Sequence, residues 1–143
     1  MTEVAFHLNV GDRTAYLCRL LRKAYLKGSR VHVLGEASSL EALDRALWLM
    51  APGEFVPHAR SGSAAHVRRH SPIVLGALEP EWAQVDVLVN LADQALCGVG
   101  VVPRIIEVVG SEPGGREKGR ERWRLYRQAG IEPTAHDLSA SVA

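Results

Sequence analysis

Arg116, Arg120, Arg124 and Arg127 recur at three- and four-residue steps near the end of the chain, beside Trp123. Wound as a helix of about 3.6 residues per turn, that spacing puts the four guanidinium groups on one side. Leu125, Tyr126 and Ala129 fall on another side, and Trp123 lies at the seam between them. A guanidinium is a planar fork of donors matched to a carboxylate or a phosphate, and an indole offers a flat apolar face. The chemistry this cluster suits is capture of a peptide ending in a carboxylate, or of a phosphate with a stacked base. The plainer alternative is a solvated basic face on a terminal helix that packs through Leu125 and Tyr126.

Other routes to chemistry are thinner. The turn after the first apolar run reads Asn9-Val10-Gly11-Asp12-Arg13, which is neither a G-x-G-x-x-G nor a G-x-x-x-x-G-K-[ST] loop. Gly98-Val99-Gly100 lacks a third glycine and a helix start. His66 and His70 are four residues apart, but no acidic residue lies between them and zinc needs further ligands. His7 and His32 sit within strand patterns and read as surface or satisfied core residues. No G-x-S-x-G run occurs, and neither Cys18 nor Cys97 has a histidine at an instructive spacing. The expectation is no catalytic residue, no metal and no cofactor. A small nucleotide- or nucleic-acid-processing enzyme on the same type of sheet is the alternative, and it requires an acid–base or metal constellation that the sequence does not display.

Bulk properties agree with a binding protein. The 143 residues suit one domain, and 47% are hydrophobic, so a core is available. The formal net charge is only +1, so an anionic partner must be held by a local patch. Residues 116–127 supply one, with six Arg or Lys against two Glu. Two cysteines make no disulfide framework and read as free thiols of a reducing, cytoplasmic setting. The first residues have no signal-peptide layout, and the most apolar window, 99–109, is broken by Pro103, Arg104 and Glu107, so no membrane span is expected.

The elements that must position these residues follow from periodicity. Val4, Phe6, Leu8 and Val10 alternate as in a strand, and Gly11-Asp12 turns the chain. Tyr16, Leu17, Leu20, Leu21 and Ala24 recur at helical spacing, and Gly28 stands where a helix end wants a left-handed residue. A second strand is expected at 31–34. Ser38 with Glu41 has capping-box spacing and would open a second helix with Leu40, Leu43, Ala46 and Leu47 inward. After a turn at Pro52-Gly53, the polar stretch 60–70 reads as a mobile loop. Strands are expected at 73–78 and 85–91, and 105–109 is a short apolar piece, extended or helical. A loop at 111–115 precedes the basic helix. The domain is expected to cover 1–132, with 133–143 as a frayed tail. This order is α/β: a single domain with a mostly parallel central sheet and helices on both faces.

Trp48 falls off the leucine stripe of the second helix, near Asp44. Such a residue is either covered by a neighbouring loop, the commoner case, or exposed as an anchor for a partner. Phe55-Val56-Pro57-His58 follows, and Pro57 in an extended run argues for a sheet edge or a strand end.

Taken together, these segments carry a resemblance. Leu43-Asp44-Arg45-Ala46-Leu47-Trp48 followed by Phe55-Val56-Pro57-His58 resembles the L-D-x-x-L-W and F-[LIV]-P-H signature of the chi subunit of bacterial DNA polymerase III holoenzyme. Arg120-Glu121-Arg122-Trp123-Arg124-Leu125-Tyr126-Arg127-Gln128-Ala129-Gly130 is similar to that family's R-E-R-[YW]-K-x-Y-R-x-A-G helix, with Trp123 where Tyr is common. Ile106-Glu107-Val108-Val109 is also similar, and the likeness runs from about Val4 to Gly130.

The resemblance implies a Rossmann-like, non-catalytic adaptor of the replicase clamp-loader complex in DNA replication. Its implied partners are the psi subunit and the acidic C-terminal tail of single-stranded DNA-binding protein (SSB), which ends in Pro-Phe. A repair helicase is a further candidate, with at most weak direct nucleic-acid contact. Carried over position by position, the tail-binding residues are Arg116, Arg120, Trp123, Arg124 and Val109, and the psi-facing residues are Trp48 and Phe55. A terminal Phe needs an apolar slot such as Val109 and the Trp123 ring. Its carboxylate needs a donor fork such as Arg120, and preceding aspartates need diffuse positive charge, such as Arg116, Arg124 and Arg127 provide.

Overall fold

The computed structural model describes residues 2–50, 52–60, 62–64, 67, 70–76, 85–91 and 102–138. Cys97, His66 and the Gly98-Val99-Gly100 run lie outside them, as do residues 61, 65, 66, 68 and 69 of the expected loop at 60–70. In chain order the described elements are β1 (Glu3–Val10), α1 (Arg13–Leu26), β2 (Val31–Leu34), α2 (Ala37–Trp48), a 3-10 turn (Pro52–Glu54), β3 (His58–Arg60), β4 (Ile73–Gly76), β5 (Val87–Asn90), β6 (Arg104–Gly110), α3 (Pro113–Gln128) and β7 (Thr134–Asp137).

The strands form one sheet in the order β3-β4-β2-β5-β6-β1-β7, and every pairing is parallel. Parallel neighbours need crossovers, and among the described residues α1, α2 and α3 lie in those from β1 to β2, β2 to β3 and β6 to β7. Two apolar clusters place those helices on opposite faces. Leu17 and Leu21 of α1 and Leu40, Leu43 and Leu47 of α2 pack with Val33, Val89, Ile106 and Val108. Tyr126 and Trp123 of α3 pack with Val4, Phe6, Ile105 and Val109. Alternation along β6 sorts the two sets: Ile105, Glu107 and Val109 face α3, whereas Ile106 and Val108 face α1 and α2.

Local signals explain most of the boundaries. Asp12 caps α1 by accepting a hydrogen bond from the Ala15 N–H at 3.0 Å. Gly28 follows it with φ +77°, the left-handed conformation expected there. Pro57 immediately precedes β3, which pairs only with β4 and so forms one sheet edge.

Three expectations are corrected and one open alternative is settled. Ser38 does not cap α2: the helix begins after Glu36, without a side-chain cap, and Ser38 lies inside it. The apolar piece 105–109 is extended, within β6. The loop at 111–115 ends early, because Pro113 opens α3; proline suits a first helical turn, where its missing N–H costs nothing. The tail expected to fray from Pro133 instead supplies β7, which pairs in register with β1 from Ala5↔Thr134 to Leu8↔Asp137. Its four residues are all exposed, so its strand character comes from the β1 ladder and not from an apolar pattern that a sequence reader could see.

Candidate peptide-binding groove

The helix that carries the arginines is locked in rotation by a buried polar cluster. Glu107, fully buried on β6, accepts from Arg122 Nε at 2.8 Å and from Asn90 Nδ2 at 3.0 and 3.1 Å, and the Tyr126 hydroxyl donates to its Oε2. Burial pushes the Glu107 carboxyl above the usual carboxylate range, while the Arg122 guanidinium, Asn90 and Tyr126 oppose that shift. Arg122 is therefore not part of the exterior basic patch, though its place in the cationic run gave no sign of this. Gly119 brings α3 close to the sheet: a Cβ there would lie 3.0 and 3.1 Å from the two methyls of Val109.

With α3 so oriented, a groove of about 600 Å³ opens between it and the β1–β7 edge of the sheet. Arg116, Arg120, Arg124, Trp123 and Val109 all line it, so one concavity gathers every residue assigned to tail binding. The three arginines are exposed, Trp123 is half-buried and Val109 is buried. The Trp123 ring is fixed by Phe6, centroid to centroid 5.0 Å, and Phe6 meets Tyr126 edge-on at 5.9 Å. Arg127 is not brought into the groove; its Nε lies 3.6 Å from Glu132 Oε1. Nor do Leu125 and Ala129 make the expected apolar face: Leu125 is 49% exposed and Ala129 is exposed, leaving Tyr126 as the buried anchor.

Sequence reasoning missed the opposite wall. Phe6 and Leu8 of β1 and Ala135 of β7 complete the apolar floor. The period-two pattern of β1 put Phe6 and Leu8 on one face, but not the face that meets α3. Asn9 and Asp137 close one end. Asn9 has φ +58°, is the one non-glycine residue with positive φ among the described residues, and donates through Nδ2 to Asp137 Oδ1 at 2.8 Å. It falls where the β1–β6 register shifts, between His7 and Val10, so the ladder is irregular beside the groove. The result is an apolar channel with cations along the α3 side and a single carboxylate at one end.

The second assigned pair lies elsewhere. Trp48, at the end of α2, is 63% exposed, the less common of the two alternatives, and the adjacent Leu49 is 78% exposed. Its ring packs on Phe55 at 5.1 Å and on His58 at 5.3 Å, and Phe55 meets His58 at 5.9 Å. The His58 ring is held between the Val56 carbonyl, 2.7 Å from Nδ1, and Asp44 Oδ1, 2.8 Å from Nε2. Arg60 reaches the other Asp44 oxygen at 3.8 Å. Trp48 and Phe55 thus form a firmly backed aromatic platform near the β3 edge.

Among the described residues no group of three potential metal ligands is found, and no helix is long and apolar enough to cross a membrane. The C-terminal domain of S. cerevisiae Dbp5, solved bound to Gle1 and IP6, superposes with a TM-score of 0.61 over 96% of this chain and 90% of that one. At 12% identity that likeness speaks to the fold alone. Sequence relatives are more specific. The DNA polymerase III subunit chi of Pseudomonas aeruginosa is 34% identical, across 96% of this chain and 98% of that protein. Those of Haemophilus influenzae and Escherichia coli are 31% and 25% identical, over 79% and 92% of this chain and 78% and 95% of those proteins. The profile of the family described as DNA polymerase III chi subunit, HolC, matches residues 1–134, and the chain therefore belongs to that family.

Proposed function

We propose that this chi-family chain is a non-catalytic adaptor of the replicase clamp-loader complex. In this reading the groove beside α3 receives the acidic C-terminal tail of SSB, and the Trp48/Phe55 platform receives the psi subunit. The observation that carries the first half is the convergence of Arg116, Arg120, Arg124 and Trp123 on one apolar-floored channel. The terminal Phe ring enters the slot between Trp123, Phe6 and Val109. The free carboxylate takes the Arg120 fork, and the preceding aspartates lie along Arg116 and Arg124. Asp137, at one end, repels carboxylates there and so helps to set the direction in which an acidic peptide lies. No bond is made or broken in this reading. A nucleotide- or nucleic-acid-processing enzyme would need an acid–base or metal constellation, and no observation favours one.

Fluorescence titration with an acidic peptide ending in Pro-Phe-COOH tests the groove. Arg120→Ala is expected to weaken binding by about 1–3 kcal/mol, the usual loss when a desolvated charge-assisted contact is removed. Affinity should fall as salt rises. Deleting the terminal Phe should abolish binding, and an unchanged affinity in either variant rejects the assignment.

A further inference from the structure

On the sheet face away from the groove, a second cavity of about 350 Å³ opens behind α1. Its floor is apolar, from α1, β2, β5 and β6. Lys23, Lys27 and Arg104 stand at its rim, all exposed, and the rings of His7, Tyr16 and His136 line one wall. Among the described residues no carboxylate forms an ion pair with any of those three cations. The charge extends beyond the rim. From Arg13 to Lys27 the chain carries five Arg or Lys and no Asp or Glu, within a molecule whose net charge is only +1. Arg19, Lys23 and Lys27 form an exposed i, i+4, i+8 row, with steps of about 6 Å along the helix axis.

The rings are held in place. The Tyr16 hydroxyl and His7 Nδ1 share a hydrogen bond, their rings meet edge-on at 5.7 Å, and His136 meets His7 at 5.3 Å. Burial first, and then the nearness of His136 and Arg104, lowers the His7 pKa to about 4, so at neutral pH its ring is a neutral, polar aromatic wall. A fork for one carboxylate would have its donors converge on a point. Here Arg19, Lys23 and Lys27 instead step along one helix face, beside an apolar, ring-walled hollow that Arg104 of β6 also lines. Evenly spaced charges with planar apolar groups hanging from them describe a single nucleic-acid strand.

We propose that α1 and the cavity behind it bind single-stranded nucleic acid, with Arg19, Lys23, Lys27 and Arg104 on the phosphates and a base entering against Tyr16 and His136. The site is independent of the groove, because alternate residues of β1 and β7 face the two hollows: Phe6, Leu8, Ala135 and Asp137 on one side, His7 and His136 on the other.

Fluorescence anisotropy of a labelled oligothymidylate with the full chain tests this. Wild type should bind with a log–log salt slope of about −2 to −3, the value for three or four neutralised phosphates of a single strand. The triple variant Lys23→Ala/Lys27→Ala/Arg104→Ala, altered only at exposed positions, should lose at least about tenfold in affinity at low salt and flatten that slope, while still binding the Pro-Phe peptide. Arg120→Ala should do the reverse. An abasic oligomer should bind wild type more weakly than oligothymidylate. The proposal is overturned if the triple variant binds oligothymidylate as wild type does, or if Arg120→Ala alone abolishes that binding. It is equally overturned if the triple variant loses the acidic peptide, which would make the cavity a peptide site, or if the abasic oligomer binds equally well.

Discussion

Single side chains carry environments that their neighbours in sequence do not reveal. His7 is one of an alternating strand set, yet it is buried against Tyr16 and His136 with its pKa lowered to about 4 from an ordinary 6.5. The sign of the consequence follows from linkage. Between those two values the unfolded chain binds a proton at this position and the folded chain does not, so stability is full above pH 6.5 and is lost as pH falls towards 4. Urea denaturation of wild type and His7→Gln across that range should show a steeper decline for wild type; parallel curves would mean that His7 does not titrate as its surroundings require. Trp123 illustrates the opposite case. The sequence placed it at the seam of α3, and it does line the groove, but only the tertiary structure supplied Phe6 as the ring that holds it.

At the scale of elements, α3 is the part that converts sequence into a site. Its rotation is set from beneath by Glu107, which receives Arg122, Tyr126 and Asn90, and its distance from the sheet is set by Gly119. Removing one member of a buried ionic cluster leaves a charge without compensation. Glu107→Gln should therefore cost about 3 kcal/mol in denaturant titration and also weaken the peptide complex, because Arg116, Arg120 and Arg124 turn with the helix. Gly119→Ala poses two effects against each other. Helix propensity gains up to about 1 kcal/mol, but the new methyl meets both Val109 methyls, and rotating a β-branched side chain cannot clear both. Overpacking costs about 1–3 kcal/mol, so the variant should have a lower midpoint than wild type. A higher midpoint would mean that β6 yields.

Across the whole molecule, the sheet keeps the two proposed binding surfaces apart. The Trp48/Phe55 platform lies near the β3 edge and the groove beside β7, and six strand spacings of about 4.8 Å put these edges about 29 Å apart. At that distance substitutions should act independently. A Trp48→Ala/Phe55→Ala variant should lose capture of psi in a pull-down while its affinity for the Pro-Phe peptide stays within about 0.5 kcal/mol of wild type, and combining it with Arg120→Ala should add the two losses. A shared loss would point to one continuous surface.

Periodicity, glycine and proline placement and the run of arginines were enough, by themselves, to determine an α/β order, the positions of β1, α1 and β2, and a cationic helix with a tryptophan at its seam. These are local properties: the side-chain period and the turn chemistry are written in consecutive residues. What the tertiary structure decided depends on residues far apart in the chain. It buried Arg122 on Glu107 while leaving Arg120 exposed, set Phe6 and Leu8 opposite Trp123, and made a strand of an exposed tail by giving it the β1 ladder to pair with. Each of those outcomes is a pairing across the fold, and a pairing has no signature in either partner's own neighbourhood.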